Sequence, residues 1–188
     1  MRRSWIPIAI FAAVLTVAVG VGLWRAGVFA EGLPDVPSCD DLANAMPERT
    51  AGTWTVRRTV PPRTLTTSTA SCEFAFSSAD QRFHGEISVD MWGHTDAEAL
   101  RDDVESFPCY GATATTPQAD VAYLASRHCQ EVIGDRTRVG MSAATDHRFA
   151  HVLVAITGPT AAADETANTA HDIARSTAKQ ALHLAAST

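Results

Sequence analysis

No charged side chain occurs between Ile6 and Trp24, and most side chains in that run are apolar. This stretch constrains the rest of the chain more than any other feature. As a helix rising about 1.5 Å per residue it spans roughly 28 Å, close to the ~30 Å hydrocarbon core of a bilayer. Pro7 falls in the first turn, where a missing N–H costs little, and Trp5 and Trp24 bracket the run as interfacial aromatics do. Arg2 and Arg3 precede it and only Arg25 closely follows, so the positive-inside bias places the N-terminus in the cytoplasm and the remainder outside. The expected order is a cytoplasmic N-terminus (1–5), a transmembrane signal anchor (6–24), a Gly- and Pro-bearing tether (25–37) and an extracytoplasmic domain (38–188). Secretion after cleavage at Val28-Phe29-Ala30 is the competing reading. The apolar run exceeds the ~7–15 residues of a cleavable segment, which favours the anchor.

Charge narrows the partners. Setting aside Arg2, Arg3 and Arg25, 12 of the 15 basic residues face 21 acidic ones, a formal balance near −9 for the outer part. Nucleic acid and anionic lipid surfaces both demand a basic patch, so neither is expected as the main partner.

Four cysteines, Cys39, Cys72, Cys109 and Cys129, lie in this outer part. An even count in an oxidising compartment reads as two disulfides, for which three pairings exist. Cys39–Cys72 with Cys109–Cys129 is favoured, because each bridge then ties a loop-rich stretch to a regular element. No C-x-x-C pair is present, which weakens both a zinc site and a redox motif.

Periodicity supplies the fold. Ser38 and Asp41 form a capping box for a short helix that Pro47 ends, and Trp54, Val56 and Val60 suggest a strand before a Thr/Ser-rich loop. Cys72, Phe74 and Phe76 alternate with polar or small residues, as do Phe83, Ile87, Val89 and Met91, so the two runs read as a hairpin. Thr95 and Glu98 open a helix with Ala97, Leu100, Val104 and Phe107 on its apolar stripe, and Pro108 ends it. Residues 109–128 read as loop with a short strand at Val121–Ala125. A second hairpin spans Arg136–Ala144 and Phe149–Thr157. An Ala-rich helix then runs from Thr160 to about Ala185, with Ala163, Ala167, Ala170, Ala174, Ala181 and Leu184 on its apolar face.

The two hairpins share D-x-R-F at the turn (Asp80–Phe83, Asp146–Phe149) and G-x-T at the helix junction (Gly93–Thr95, Gly158–Thr160). The intervals between the signatures differ by one residue. The pattern implies a twofold β-β-α repeat, with the hairpins in one sheet and the helices side by side. The expected fold is α+β, a mainly antiparallel sheet covered by helices and braced by two disulfides.

Cys39 before a short helix, Cys72 in Ser-Cys-Glu-Phe, alternating strands and an Ala-rich last helix resemble secreted actinobacterial domains of unknown function. These include lipoproteins and the outer sensor domains of some membrane kinases. The resemblance implies an envelope location and ligand binding or sensing. It carries over no binding residues. Cys39 follows Asp-Val-Pro-Ser and not a lipid-attachment box.

Catalytic patterns are incomplete. Ser176 and Lys179 match S-x-x-K, but Lys179 is the only lysine, so the accompanying K-T-G cannot exist. His84, His147 and His151 fall on hairpins without ligand spacing, and no metal, cofactor or catalytic residue is assigned. Trp92 shares the polar face of its strand with His84, Glu86, Ser88 and Asp90, while Tyr110 and Tyr123 flank the second cysteine pair. Trp92, Tyr110 and Tyr123 are therefore the candidate ligand-binding residues, in a groove between the two units. Two functions fit: an envelope binding or sensing module for an unidentified ligand or protein, or an accessory scaffold of a membrane complex.

Overall fold

Alternating apolar residues in β2 (Thr69–Ser78), β3 (His84–Gly93), β6 (Arg136–Ala144) and β7 (Arg148–Thr157) build the middle of one antiparallel sheet. The computed structural model describes residues 35–46, 50–60, 68–109, 111–114 and 123–185. The apolar run 6–24, residues 1–5, the cleavage motif at Ala30 and the loop residues 61–67 lie outside these. Among the described residues no helix is long and apolar enough to cross a membrane.

The sheet has seven strands in the order β1-β2-β3-β7-β6-β5-β4. β1 is Gly52–Val60, β4 Ala112–Ala114 and β5 Ala125–Ile133. Among the described residues three α-helices accompany the sheet: α1 (Cys39–Ala45), α2 (Ala97–Ser106) and, after a 3-10 turn at Thr160–Ala162, α3 (Ala163–His183). β5 begins at Ala125, inside the last few residues of the stretch 109–128 read as loop, where the expected Val121–Ala125 strand would end. Val121 lies outside the described residues, and Tyr123 and Leu124 are not in a strand.

Side-chain parity assigns the two faces. The first carries Cys72, Phe74, Phe76, Ile87, Val89, Met91, Val139, Val152, Val154 and Ile156, all buried in the main core under α1 and α3. Trp54 meets Phe74 and Phe76 edge-on at 5.6 Å, a favoured aromatic geometry. Val36 and Pro37 are also buried, so the folded unit begins before the expected end of the tether at residue 37. The Cys39–Cys72 disulfide ties α1 to β2, and Cys109–Cys129 ties the segment after α2 to β5, with Cα separations of 5.5 and 5.8 Å. This is the favoured pairing.

The second face carries α2, the one helix on it among the described residues. Leu100 and Val104 of α2 close over Phe149 and Ala144, with Trp92, Phe107 and Ala125 packed around them. Both long helices lean on β6 and β7, from opposite sides of the sheet. The expected side-by-side helices are therefore corrected, while the two hairpins do share one sheet, through β3 and β7.

Strand pairing extends beyond the two hairpins. β1-β2-β3 and β7-β6-β5 run outward from the β3–β7 pair, each as a three-stranded meander. The D-x-R-F motifs are out of structural register. The first turn closes between Ser78 and Phe83, the second between Thr145 and Arg148, so the second loop is shorter. Asp80 Oδ1 accepts from the Arg82 N–H at 3.1 Å, whereas in the second turn Thr145 Oγ1 accepts from the Arg148 N–H at 3.2 Å. Asp146 does not take the part expected of it. Slipping by one residue flips every side chain, so Phe83 enters the main core and Phe149 the opposite one. At Gly158 a Cβ would run into the Phe83 ring at 2.8 Å, so glycine lets the start of α3 close on the sheet.

Helix caps differ in detail from expectation. Ser38 and Asp41 form the capping box of α1, but Asp96 caps α2 in place of Thr95, accepting from the Glu98 N–H at 2.9 Å. On α3 the buried stripe is Thr166, Ala170, Ile173, Ala174, Thr177, Ala178, Ala181 and Leu182, while Ala163 is exposed. Thr166 and Thr177 are tolerated inside because their hydroxyls donate to the Ala162 and Ile173 carbonyls.

Candidate functional site

Cross-strand pairing organises the second face into rows. Trp92, Phe149, Ala144 and Ala125 form one, Asp90, His151, Ser142 and Arg127 the next. Then come Ser88, Leu153, Gly140 and Cys129, and after them Glu86, Ala155, Arg138 and Glu131. α2 and Phe107 cover the first row and reach the second, where the Phe107 ring lies 4.0 Å from that of His151. Arg127 fixes this arrangement: its Nη1 donates to the carbonyls of Glu105 (2.7 Å) and Phe107 (3.4 Å) at the end of α2, where a cation suits the helix dipole.

Beyond Phe107 no helix among the described residues covers the face. A concavity of about 300 Å³ lies there, lined by Glu86, Ser88, Pro108, Cys129, Arg136, Arg138, Gly140, His151, Leu153 and Ala155. Leu153, Ala155 and the bare backbone of Gly140 give it an apolar floor. A Cβ on Gly140 would meet only His151 Cε1 at 3.7 Å and Leu153 Cδ1 at 4.0 Å, so a side chain there would grow into the space. Cys129, held to Cys109, and Pro108 lie at the end nearer α2.

The polar groups stand at its two ends. At the α2 end His151 Nδ1 shares a hydrogen bond of 2.9 Å with the Ser142 hydroxyl. Burial pushes the His151 imidazole down to about 4, against a smaller opposing pull from Asp90, so the ring is neutral at pH 7. At the far end Arg138 meets Glu131 at 3.3 Å and Arg136 meets Glu86 at 3.8 Å. The Glu86 side chain is 80% exposed, so this second pair is loose and solvent-screened.

The residues singled out from sequence are not brought together. Trp92 is on the same face as the concavity but under α2, stacked on Phe149 at 4.0 Å and donating through Nε1 to Asp103 at 2.8 Å. It is part of the small core, and the helix over it is α2, not the terminal one. Tyr123 packs against the main core on the other face, with its ring 6.4 Å from that of His183. Tyr110 lies outside the described residues. His84 pairs with Thr157 at one end of the β3–β7 ladder while His151 pairs with Asp90 well along it, and among the described residues no three metal-ligating side chains converge. Sequence patterning does not single out Arg136, Arg138, Gly140 or Leu153. The arginines alternate with Thr137 and Val139 in β6, which marks a shared face, but nothing local marks the strands beside them.

No family model, curated protein or solved structure matches the chain.

Proposed function

We propose that the domain is a non-catalytic binding or sensing module, held at the outer face of a membrane by residues 6–24. The observation that carries this reading is the concavity on the second face. It lies across the β3–β7 boundary between the two meanders, where Glu86 and Ser88 come from one and His151, Leu153 and Ala155 from the other. An apolar floor with a few polar groups at its ends is the usual composition of a small-molecule site, and its volume falls at the small end of the ~300–1,000 Å³ range. The two disulfides support a location outside the reducing cytoplasm. The scaffold reading draws on one feature, the half-exposed Val132 and Ile133 beside the β5–β6 turn.

Native mass spectrometry of the full chain released from its own membranes tests the binding reading. Wild type should carry a small-molecule adduct that Gly140→Trp lacks. No adduct on wild type, or equal adducts on both proteins, would leave the scaffold as the better account.

A further inference from the structure

We infer that the occupant of this concavity is a small anionic amphiphile, a short hydrocarbon ending in an oxyanion that Arg136 and Arg138 hold. The inference rests on the reading of the concavity as a ligand site. Arg136 and Arg138 project from the same face of β6, two residues and about 7 Å apart, at one end of an apolar floor. Guanidinium forks match carboxylate and phosphate oxygens bidentately, and they act where a ligand body displaces water around them. The floor of Leu153 and Ala155 takes the hydrocarbon. A dry cavity of about 150 Å³ holds benzene, so about 300 Å³ suits roughly a dozen heavy atoms.

Glu86 has a definite part in this arrangement. Its carboxylate sits loosely against Arg136, at 3.8 Å, where it would compete with a ligand oxyanion for that guanidinium. It is an internal competitor, so removing its charge should strengthen binding. Glu131, closer to Arg138 and more sheltered, instead orients that guanidinium from the neighbouring strand.

The test uses the full chain in nanodiscs of neutral phosphatidylcholine. The probes are an octanoic acid carrying a photoreactive diazirine, an alkyl phosphate of the same length and diazirine, and the matching alcohol. Adducts are mapped by peptide. Both acids should label the β6–β7 peptides around Gly140 and Leu153, and whichever labels more strongly distinguishes a carboxylate from a phosphate head. The alcohol should label them at least tenfold less. Arg136→Gln with Arg138→Gln should reduce acid labelling by a similar factor, and Glu86→Gln should raise it severalfold. Equal labelling by acid and alcohol, or labelling insensitive to both variants, overturns the anionic class while leaving the site. Labelling by no probe above the Gly140→Trp background overturns the site itself.

Discussion

His151 couples the candidate site to stability through a single proton. Its imidazole is held neutral by burial, with a folded value of about 4 against the ordinary 6.5. The unfolded chain therefore binds the extra proton first as pH falls, and stability declines from about pH 6.5 towards pH 4. The full effect below pH 4 is up to roughly 3 kcal/mol. His128 and His171, also held below the ordinary value chiefly by burial, add a loss of the same sign. Urea titrations at pH 7 and pH 4.5 should show a drop that His151→Asn reduces by more than half. An unchanged drop would mean that His151 is not the dominant group. Phe149 gives a second residue-scale prediction. It is fully buried between Trp92, Phe107 and the α2 stripe, so Phe149→Ala should cost about 3–5 kcal/mol by the same titration at pH 7. Trp92 shows what single residues do and do not disclose in a sequence. Its alternation with Glu86, Ser88 and Asp90 places it on the correct face, but that α2 turns back over that end is a tertiary fact.

At the scale of elements, β2, β3, β6 and β7 are legible because each buries one face in a large core and so keeps period two. β5 is not. Arg127, His128, Gln130 and Glu131 alternate between two faces that are both polar: Gln130 reaches His171 of α3 on one side, and Arg127 caps α2 on the other. β5 is a strand because β6 pairs along all of it, and that pairing leaves no apolar stripe to find. The helix faces are illegible for a related reason. The spacing of Leu100 and Val104 shows that α2 has an apolar side without showing which side of the sheet receives it. The Cys109–Cys129 bridge holds the end of α2 against β5, closing a loop with a sequence separation of 20. Replacing both cysteines with serine should cost about 3 kcal/mol on the chain-entropy model. Amide exchange in α2 should accelerate more than in α3, which is packed on the other face. Uniform acceleration would show that the bridge braces the whole fold and not this covering.

For the whole molecule, the sequence discloses an α+β fold with two hairpins and two staples, the disulfide pairing being favoured because each bridge ties a loop-rich stretch to a regular element. What it withholds is the order of strands across the sheet, and with it the site. Glu86, Ala155, Arg138 and Glu131 become one row only when β3 lies beside β7. The proposed topology carries its own prediction: a reporter active only in the cytoplasm, fused after Thr188, should be silent, and strong activity would reverse the orientation inferred from Arg2 and Arg3. The central claim is that the uncovered part of the second face is where a ligand sits. Methyl NMR of the full chain in nanodiscs, titrated with octanoate, tests this most directly. The Leu153 and Ala155 methyls should shift in a saturable way, while Leu42 and Leu182 in the main core stay fixed. Saturable shifts confined to Leu42 and Leu182, or none at Leu153 and Ala155, would contradict it.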